Sequence, residues 1–259
     1  MADVSFWVAT HPDDAFLFRG EGLFTDLHSP GVTSVVVLVS AGDAGRTDGW
    51  WQAREAGAID ALRGGLSPVP TTSATVAVRG HALQRYSAPG WACWCLRLPD
   101  GGLDGNGYPS TGLTSLTKLR SGAIRTLRAV DGSATYSGWA DLVATVRALV
   151  SSSRGTTAPE WINCSDWDAA RNPGDHPDHY AAAAIVQAFA GADGLNRLWW
   201  VSYDTRNRPA NLAGYPLDVK YFLTRLYGWT VDDRTGTPPS DQEWAWWGQR
   251  SYARTETVP

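Results

Sequence analysis

Ser5-Phe6-Trp7-Val8-Ala9-Thr10-His11-Pro12-Asp13-Asp14 passes without a break from an apolar run into four residues suited to turning and to chemistry. The β-branched and aromatic bias of Ser5 to Thr10 predicts a strand. Beyond it Phe16, Leu17, Leu23, Phe24 and Leu27 recur at helical spacing, so the unit reads strand, loop, helix. Val32 to Ser40 is a near-continuous apolar run, the kind of strand that a parallel sheet buries on both faces. Ala41-Gly42-Asp43 ends it, and Trp50 to Arg63 follows as a helix stopped by Gly64-Gly65. Two strand–helix units in succession predict an α/β fold. Its sheet is expected to be Rossmann-like and mostly parallel, with right-handed crossovers and helices on both faces.

From Ser67 to Ser137 the pattern changes. Gly, Ser, Thr and Pro become frequent, and strand-like pieces shorten to Ala74–Val78 and Ala92–Leu98. Pro99-Asp100-Gly101-Gly102 and Asp104-Gly105-Asn106-Gly107 are loop sequences. Residues from about 67 to 137 are therefore expected to form an insertion carrying mobile loops over a site. Trp139 to Val150 reads as a helix with Ser137 as N-cap, and Trp161 to Cys164 as a strand. Pro177 to Ala190 is an alanine-rich helix with Pro in its first turn. Leu198 to Tyr203 reads as a strand, Leu217 to Tyr227 as a helix, and Glu243 to Gln249 as a last helical piece. With no repeat and no interdomain linker, residues 1–259 are expected to form a single domain.

Composition narrows the function classes. The formal net charge is -4 and no run of Lys or Arg occurs, which argues against a nucleic-acid partner. No apolar stretch is long enough to span a bilayer. The N-terminus has neither a basic segment nor a cleavage site, and Cys93, Cys95 and Cys164 cannot all pair, so a cytoplasmic location with reduced thiols is expected. The 14 Trp residues, paired at 50–51, 199–200 and 246–247, suit core packing first and a ligand wall second.

Two segments carry the chemistry. His11-Pro12-Asp13-Asp14 lies just past the carboxyl end of the first strand, the edge where open α/β sheets bind ligands. Asp175-His176-Pro177-Asp178-His179 opens a helix far along the chain, with His176 and His179 three residues apart and on one side. Three of the five histidines fall in these two segments. Two His and one carboxylate are a common catalytic zinc set, with a fourth position left for water. Amide hydrolysis also needs a base for the water proton and an acid for the leaving amine. Asp13 is the candidate base, beside Asp14; His176 is the candidate acid or oxyanion stabiliser. The same ligand set accepts Fe(II), Co(II) or Mn(II), but zinc is the default metal for amide hydrolysis.

These motifs resemble those of the zinc-dependent N-acetylglucosaminyl deacetylases typified by the GlcNAc-phosphatidylinositol and mycothiol-pathway enzymes. That family's hallmark is a first-strand Ala-His-Pro-Asp-Asp-Glu with a distant His-Pro-Asp-His. The resemblance implies that His11, Asp14 and His179 bind zinc and that Asp13 is the general base. It further implies that His176 stabilises the tetrahedral intermediate and protonates the leaving group, with Asp178 as its orienting carboxylate. Gly42-Asp43 and Arg54-Glu55 also look like the family pattern, which makes Asp43 and Arg54 substrate-binding candidates. The resemblance covers the first 65 residues and roughly 160 to 190. Ala15 stands where the family has Glu. That variant and the Trp-rich body look like the deacetylases of teicoplanin-type glycopeptide antibiotic pathways, so the expected substrate is a glycopeptide pseudoaglycone bearing GlcNAc.

Plainer readings stand beside these. Asp175 reads as a helix N-cap, and His28 and His81 as solvated or packed side chains. Trp167 is a candidate substrate wall. A deacetylase of another GlcNAc conjugate, such as a thiol-cofactor precursor, uses the same chemistry. A non-catalytic, Trp-rich glycan-binding protein with a structural metal would have no use for Asp13 or His176.

Overall fold

The apolar runs of the sequence become the central strands of one eight-stranded sheet. The computed structural model describes residues 3–65, 70–155 and 160–258. In chain order the first elements are β1 (Asp3–Ala9), α1 (Asp14–His28), β2 (Val32–Ser40), α2 (Trp50–Gly64), β3 (Thr72–Val78), β4 (His81–Ala88) and β5 (Trp91–Leu98). Then come α3 (Leu116–Ser121), β6 (Leu127–Arg128), β7 (Thr135–Tyr136), α4 (Trp139–Ser153), β8 (Trp161–Ser165), α5 (Pro177–Gln187) and β9 (Asn196–Trp200). α6 (Tyr215–Thr235), α7 (Asp241–Glu243), which continues as a π-helical turn over Trp244–Gly248, and β10 (Ala253–Glu256) complete the chain.

The strand order is β10-β9-β8-β1-β2-β5-β4-β3. The five inner strands from β9 to β5 run parallel; β10 and β4 run antiparallel to them, and β3 pairs antiparallel to β4 at the far edge. Both faces are covered, as the unbroken apolar runs require. Val4, Phe6 and Val8 of β1 with Val35, Val37 and Val39 of β2 join a cluster with Leu142 and Val146 of α4 and Ile185 of α5. The alternate residues Trp7, Ala9, Val36 and Leu38 face the other way, onto Leu23 of α1, Leu62 of α2 and Leu223 of α6. No described helix is long and apolar enough to cross a membrane.

The topology places the site. From β1 the chain moves to one side through β2 to β5, then returns on the other side of β1 as β8 and β9. That reversal opens a crevice at the carboxyl ends of β1 and β8, where an α/β sheet binds ligands.

Several boundaries differ from the sequence reading. Within the stretch expected as an insertion, residues 72–98 form β3, β4 and β5 and extend the main sheet. Of the stretch expected as an insertion, Asp100, Leu103 and Tyr108 are the described residues that reach the cavity over the site, and Ser67 lies outside the described residues. Gly138, not Ser137, occupies the N-cap of α4, because the chain enters that helix at φ 94°, a conformation open to glycine. The helix read as Leu217 to Tyr227 runs from Tyr215 to Thr235.

Candidate metal and active site

β1 hands the chain to α1 through a tight turn in which the His11 backbone N–H donates to Asp14 Oδ2 at 2.7 Å. Asp13 occupies the N-cap position of α1, yet its side chain makes no capping bond. Its carboxylate is turned to Arg54 of α2 instead, which reaches it through Nη2. The same guanidinium donates to Gly42 O at 2.8 Å and to Tyr227 OH at 2.7 Å. Gly42 has φ 58°, and a Cβ there would meet Arg54 Nη1 at 2.2 Å, so this glycine lets the guanidinium lie against the loop.

At the second segment α5 starts at Pro177, with His176 as its N-cap. His176 Nδ1 accepts the Asp178 backbone N–H at 3.1 Å. A neutral His176 therefore carries its proton on Nε2. One turn on, His179 is fully buried.

Across the crevice, three donor atoms converge. His11 Nδ1 lies 3.2 Å from His179 Nε2 and 3.6 Å from Asp14 Oδ2, and His179 Nε2 lies 3.2 Å from Asp14 Oδ2. A tetrahedral zinc with bonds of about 2.0–2.2 Å needs donor separations of roughly 3.4 Å. The three atoms thus form one face of such a tetrahedron, and the residues fit the ion. Behind His179, Asp175 Oδ1 accepts from Nδ1 at 2.9 Å, the carboxylate–histidine arrangement that orients metal-binding imidazoles. Asn172 Nδ2 holds the other oxygen of Asp175 at 2.6 Å.

The protonation pattern agrees with a site built for positive charge. Burial favours neutral rings, but Asp14, Asp178 and Asp100 raise His11 to about 10. Burial likewise opposes a charge on His179, and Asp14 and Asp175 outweigh it. Asp14, in turn, is held well below the usual carboxylate range by the two imidazoles despite its burial. A divalent cation can take the place of those protons. His176 behaves oppositely: burial, followed by the charges of His11 and His179, pushes it down to about 2.

The site opens into a cavity of about 370 Å³ whose lining includes His11, Asp13, Asp14, Arg54, Asp100 and His176. The structure thus brings His11, Asp13, Asp14, Arg54 and His176 to one cavity wall, with His179 directly behind. Asp178 is fully buried, and its carboxylate faces the same cluster as His11, Asp100 and His176. Oδ2 accepts the Gly101 N–H at 2.7 Å and stands 3.8 Å from His11 Nε2, and an Asp178 carboxylate oxygen lies within 4.8 Å of a His176 ring nitrogen. Asp43 is absent from the cavity lining: it is buried beneath the loop, accepting the Asp100 and Gly45 N–H groups at 2.7 and 3.1 Å. Trp167 is also absent from it; it lies outside, under the guanidinium of Arg254.

Three participants escape the sequence reading. Asp175 matches the pattern of a helix cap, but His176 fills that role. Asp100 sits in a Gly-rich loop sequence, two residues past β5 and at the same rim; its oxygens lie 3.9 Å from His11 Nε2 and 3.8 Å from His176 Nε2. The nearness of a strand end is the one signal that could have found it. Tyr203 follows β9 and stands edge-on to His179 with ring centroids 5.3 Å apart. No local pattern marks it.

Comparison with known proteins bears on this arrangement. The family model described as GlcNAc-PI de-N-acetylase (PIG-L) matches residues 6–190, more than half of the chain. No curated protein matches the chain. Among solved structures, a deacetylase triple mutant involved in the teicoplanin biosynthetic pathway is similar at a TM-score of 0.54 and 12% identity, covering 98% of this chain and 96% of that one. That likeness shows a shared fold. The N,N'-diacetylchitobiose deacetylase from Pyrococcus horikoshii gives a TM-score of 0.45 and 13% identity over 94% of this chain and 73% of that one.

Proposed function

Because the chain belongs to the GlcNAc-PI de-N-acetylase (PIG-L) family, we propose that it is a zinc-dependent hydrolase that removes the N-acetyl group from a glucosamine unit. The observation that carries this reading is the three-atom donor face of His11, Asp14 and His179, with edges of 3.2 to 3.6 Å, opening on a cavity that also holds Asp13 and His176. Zinc bound there would polarise the amide carbonyl and lower the pKa of a water towards ~7.

The chain's own groups do the rest. Asp13, fixed at the cavity wall by Arg54, accepts the proton of the attacking water. His176 is neutral and presents Nε2–H, so it hydrogen-bonds the oxygen on which negative charge develops. Of the two roles left open for this histidine, the fixed Nε2–H tautomer and the downward direction of its pKa favour oxyanion donor over proton source. The proton taken by Asp13 then passes to the departing nitrogen. Acetate leaves, and the sugar retains a free amine.

We place the whole reaction in a single domain spanning residues 1–259, acting on a small glycoconjugate. A GlcNAc-bearing glycopeptide pseudoaglycone is the proposed substrate, supported by the fold likeness to a teicoplanin-pathway deacetylase and by the aromatic lining of the cavity. The test is release of free amine by the zinc-loaded protein from a glycopeptide pseudoaglycone, a pseudodisaccharide thiol-cofactor precursor and simple GlcNAc glycosides. Chelator-sensitive release, fastest on the pseudoaglycone, is expected. Glycan binding without amine release, unaffected by chelator, would refute the proposal.

A further inference from the structure

Among the described residues, eight large apolar side chains stand exposed, and four of them belong to α6. They are Tyr215, Tyr221, Phe222 and Trp229, with 69, 43, 41 and 55% of their surface in solvent. None of the four lines the cavity over the metal site. Tyr215, Phe222 and Trp229 recur every seven residues, so they form one stripe along about 21 Å of helix. Asp218 and Arg225 fall between them and complete a heptad seam, the pattern that one helix offers to another. The other side of α6, with Val219, Leu223 and Tyr227, is buried. Neighbouring rings hold the exposed ones in place: Tyr215 stands edge-on to Phe24 with centroids 6.2 Å apart, and Tyr221 edge-on to Trp244 at 4.9 Å. Covering such a preformed patch therefore costs little side-chain entropy. Rings that each bury ~150–250 Å², about half exposed, leave roughly 400 Å² of aromatic surface on this face. Two such faces together would bury roughly 800 Å², two thirds of the ~1,200 Å² at which stable interfaces begin, and the flanking polar side chains supply the remainder.

We infer that the outer face of α6 is a dimer interface, covered by the same face of a second copy of the chain in antiparallel orientation. A two-fold axis at Phe222 sets that ring against its own copy, Tyr215 against Trp229 of the second copy, and Asp218 against Arg225 of the second copy. Charge selects this orientation. Parallel helices in register would oppose Asp218 to Asp218 and Arg225 to Arg225, whereas the antiparallel pair sets opposite charges together twice. Arg225 now holds the exposed Asp241 at 2.7 Å, an ion pair in water that gives way at little cost. The same charges disfavour a lipid surface: Asp218, Asp233 and Asp241 stand exposed around the rings, where an anionic bilayer would select Lys and Arg. This surface lies outside the metal site, so the inference holds whether or not the chain hydrolyses amides.

Sedimentation equilibrium of the full-length chain over a wide concentration range tests the interface. A monomer–dimer equilibrium is expected, and Phe222→Glu and Trp229→Glu should each weaken it at least tenfold. Both positions are exposed, so urea unfolding of the variants should stay cooperative, which separates loss of the dimer from loss of the fold. Asp218→Arg should also weaken the dimer, and adding Arg225→Asp should restore it, because the two charges then exchange places across the axis. Orientation is read by mixing Tyr215→Cys with Trp229→Cys in the presence of diamide as oxidant. A disulfide-linked dimer should form in the mixture and in neither variant alone; Cys93, Cys95 and Cys164 are buried and stay out of the reaction. A wild type that remains monomeric at every concentration, or a dimer that survives both Phe222→Glu and Trp229→Glu, would overturn the inference. Binding of the monomer to phosphatidylglycerol vesicles, abolished by Phe222→Glu, would overturn it too by giving the face to a lipid surface.

Discussion

Asp13 and Asp14 are neighbours in sequence with opposite environments. Asp14 is buried against His179 Nε2 and His11, where it can serve only an ion or a proton; Asp13 stands at the cavity wall, paired with Arg54. Asp13→Asn should therefore retain zinc by metal analysis and lose about 10²–10⁴ in kcat, the range for removing a positioned base. Full turnover by the zinc-loaded Asp13→Asn protein would show that another group takes the proton. His176 gives a different signature. Burial and the neighbouring positive charge push its pKa down, and Nδ1 is occupied by the Asp178 N–H, so His176→Gln should lower kcat by about 10²–10³ without removing a limb from the pH–rate profile. Loss of a limb near pH 6.5 would instead mark it as a proton source. Asp175→Asn should weaken zinc about 10–100-fold in competition with a chelator while the fold persists, because the His179 ring loses its orienting carboxylate. Unchanged affinity would reduce Asp175 to a structural role. The proposed ligands were legible because Pro and Asp between histidines make a pattern with few other uses. Asp175 and Asp100 were not, since an acid before a helix or in a Gly-rich loop has a common local explanation, and only the fold aims it inward.

Among the elements, β1, β2 and α2 were readable nearly to the residue, because burial on both sheet faces or a pair of terminating glycines leaves a strong pattern. β4 was not: its half-buried Gln84, Arg85 and Tyr86 break the alternation, and pairing to β3 and β5 makes it a strand. β10 is an edge strand of four residues, Ala253–Glu256, whose order comes from pairing to β9. The junction of α6 with the tail was equally hidden. Lys220 of α6 is buried, and its Nζ donates to Arg250 O at 2.5 Å and Trp247 O at 3.3 Å, tying the π-helical turn to the helix. Burial, with the nearby Arg19 and Arg250, lowers its pKa to about 7 against the pull of Glu21. The unfolded chain then binds more protons between about pH 7 and 10.5, so stability rises with pH across that window. From pH 7 to 9 the wild type should gain about 2 kcal/mol over Lys220→Met in urea unfolding. Parallel pH dependences for the two proteins would show that Lys220 is not the group responsible.

For the whole molecule, two distant segments meet because the sheet reverses its order beside β1. The α/β class followed from two strand–helix units, but the crossing of β8 back to β1 did not, since nothing local records which strand is its neighbour. That crossing brings His179 within 3.2 Å of His11. Everything proposed for the reaction depends on one divalent cation sitting at this junction. The most direct measurement is anomalous diffraction at the zinc edge from crystals of the zinc-loaded protein. The account predicts one strong peak about 2.0–2.2 Å from His11 Nδ1, Asp14 Oδ2 and His179 Nε2. A catalytically active crystal with no peak there, or with its only peak elsewhere, would contradict it.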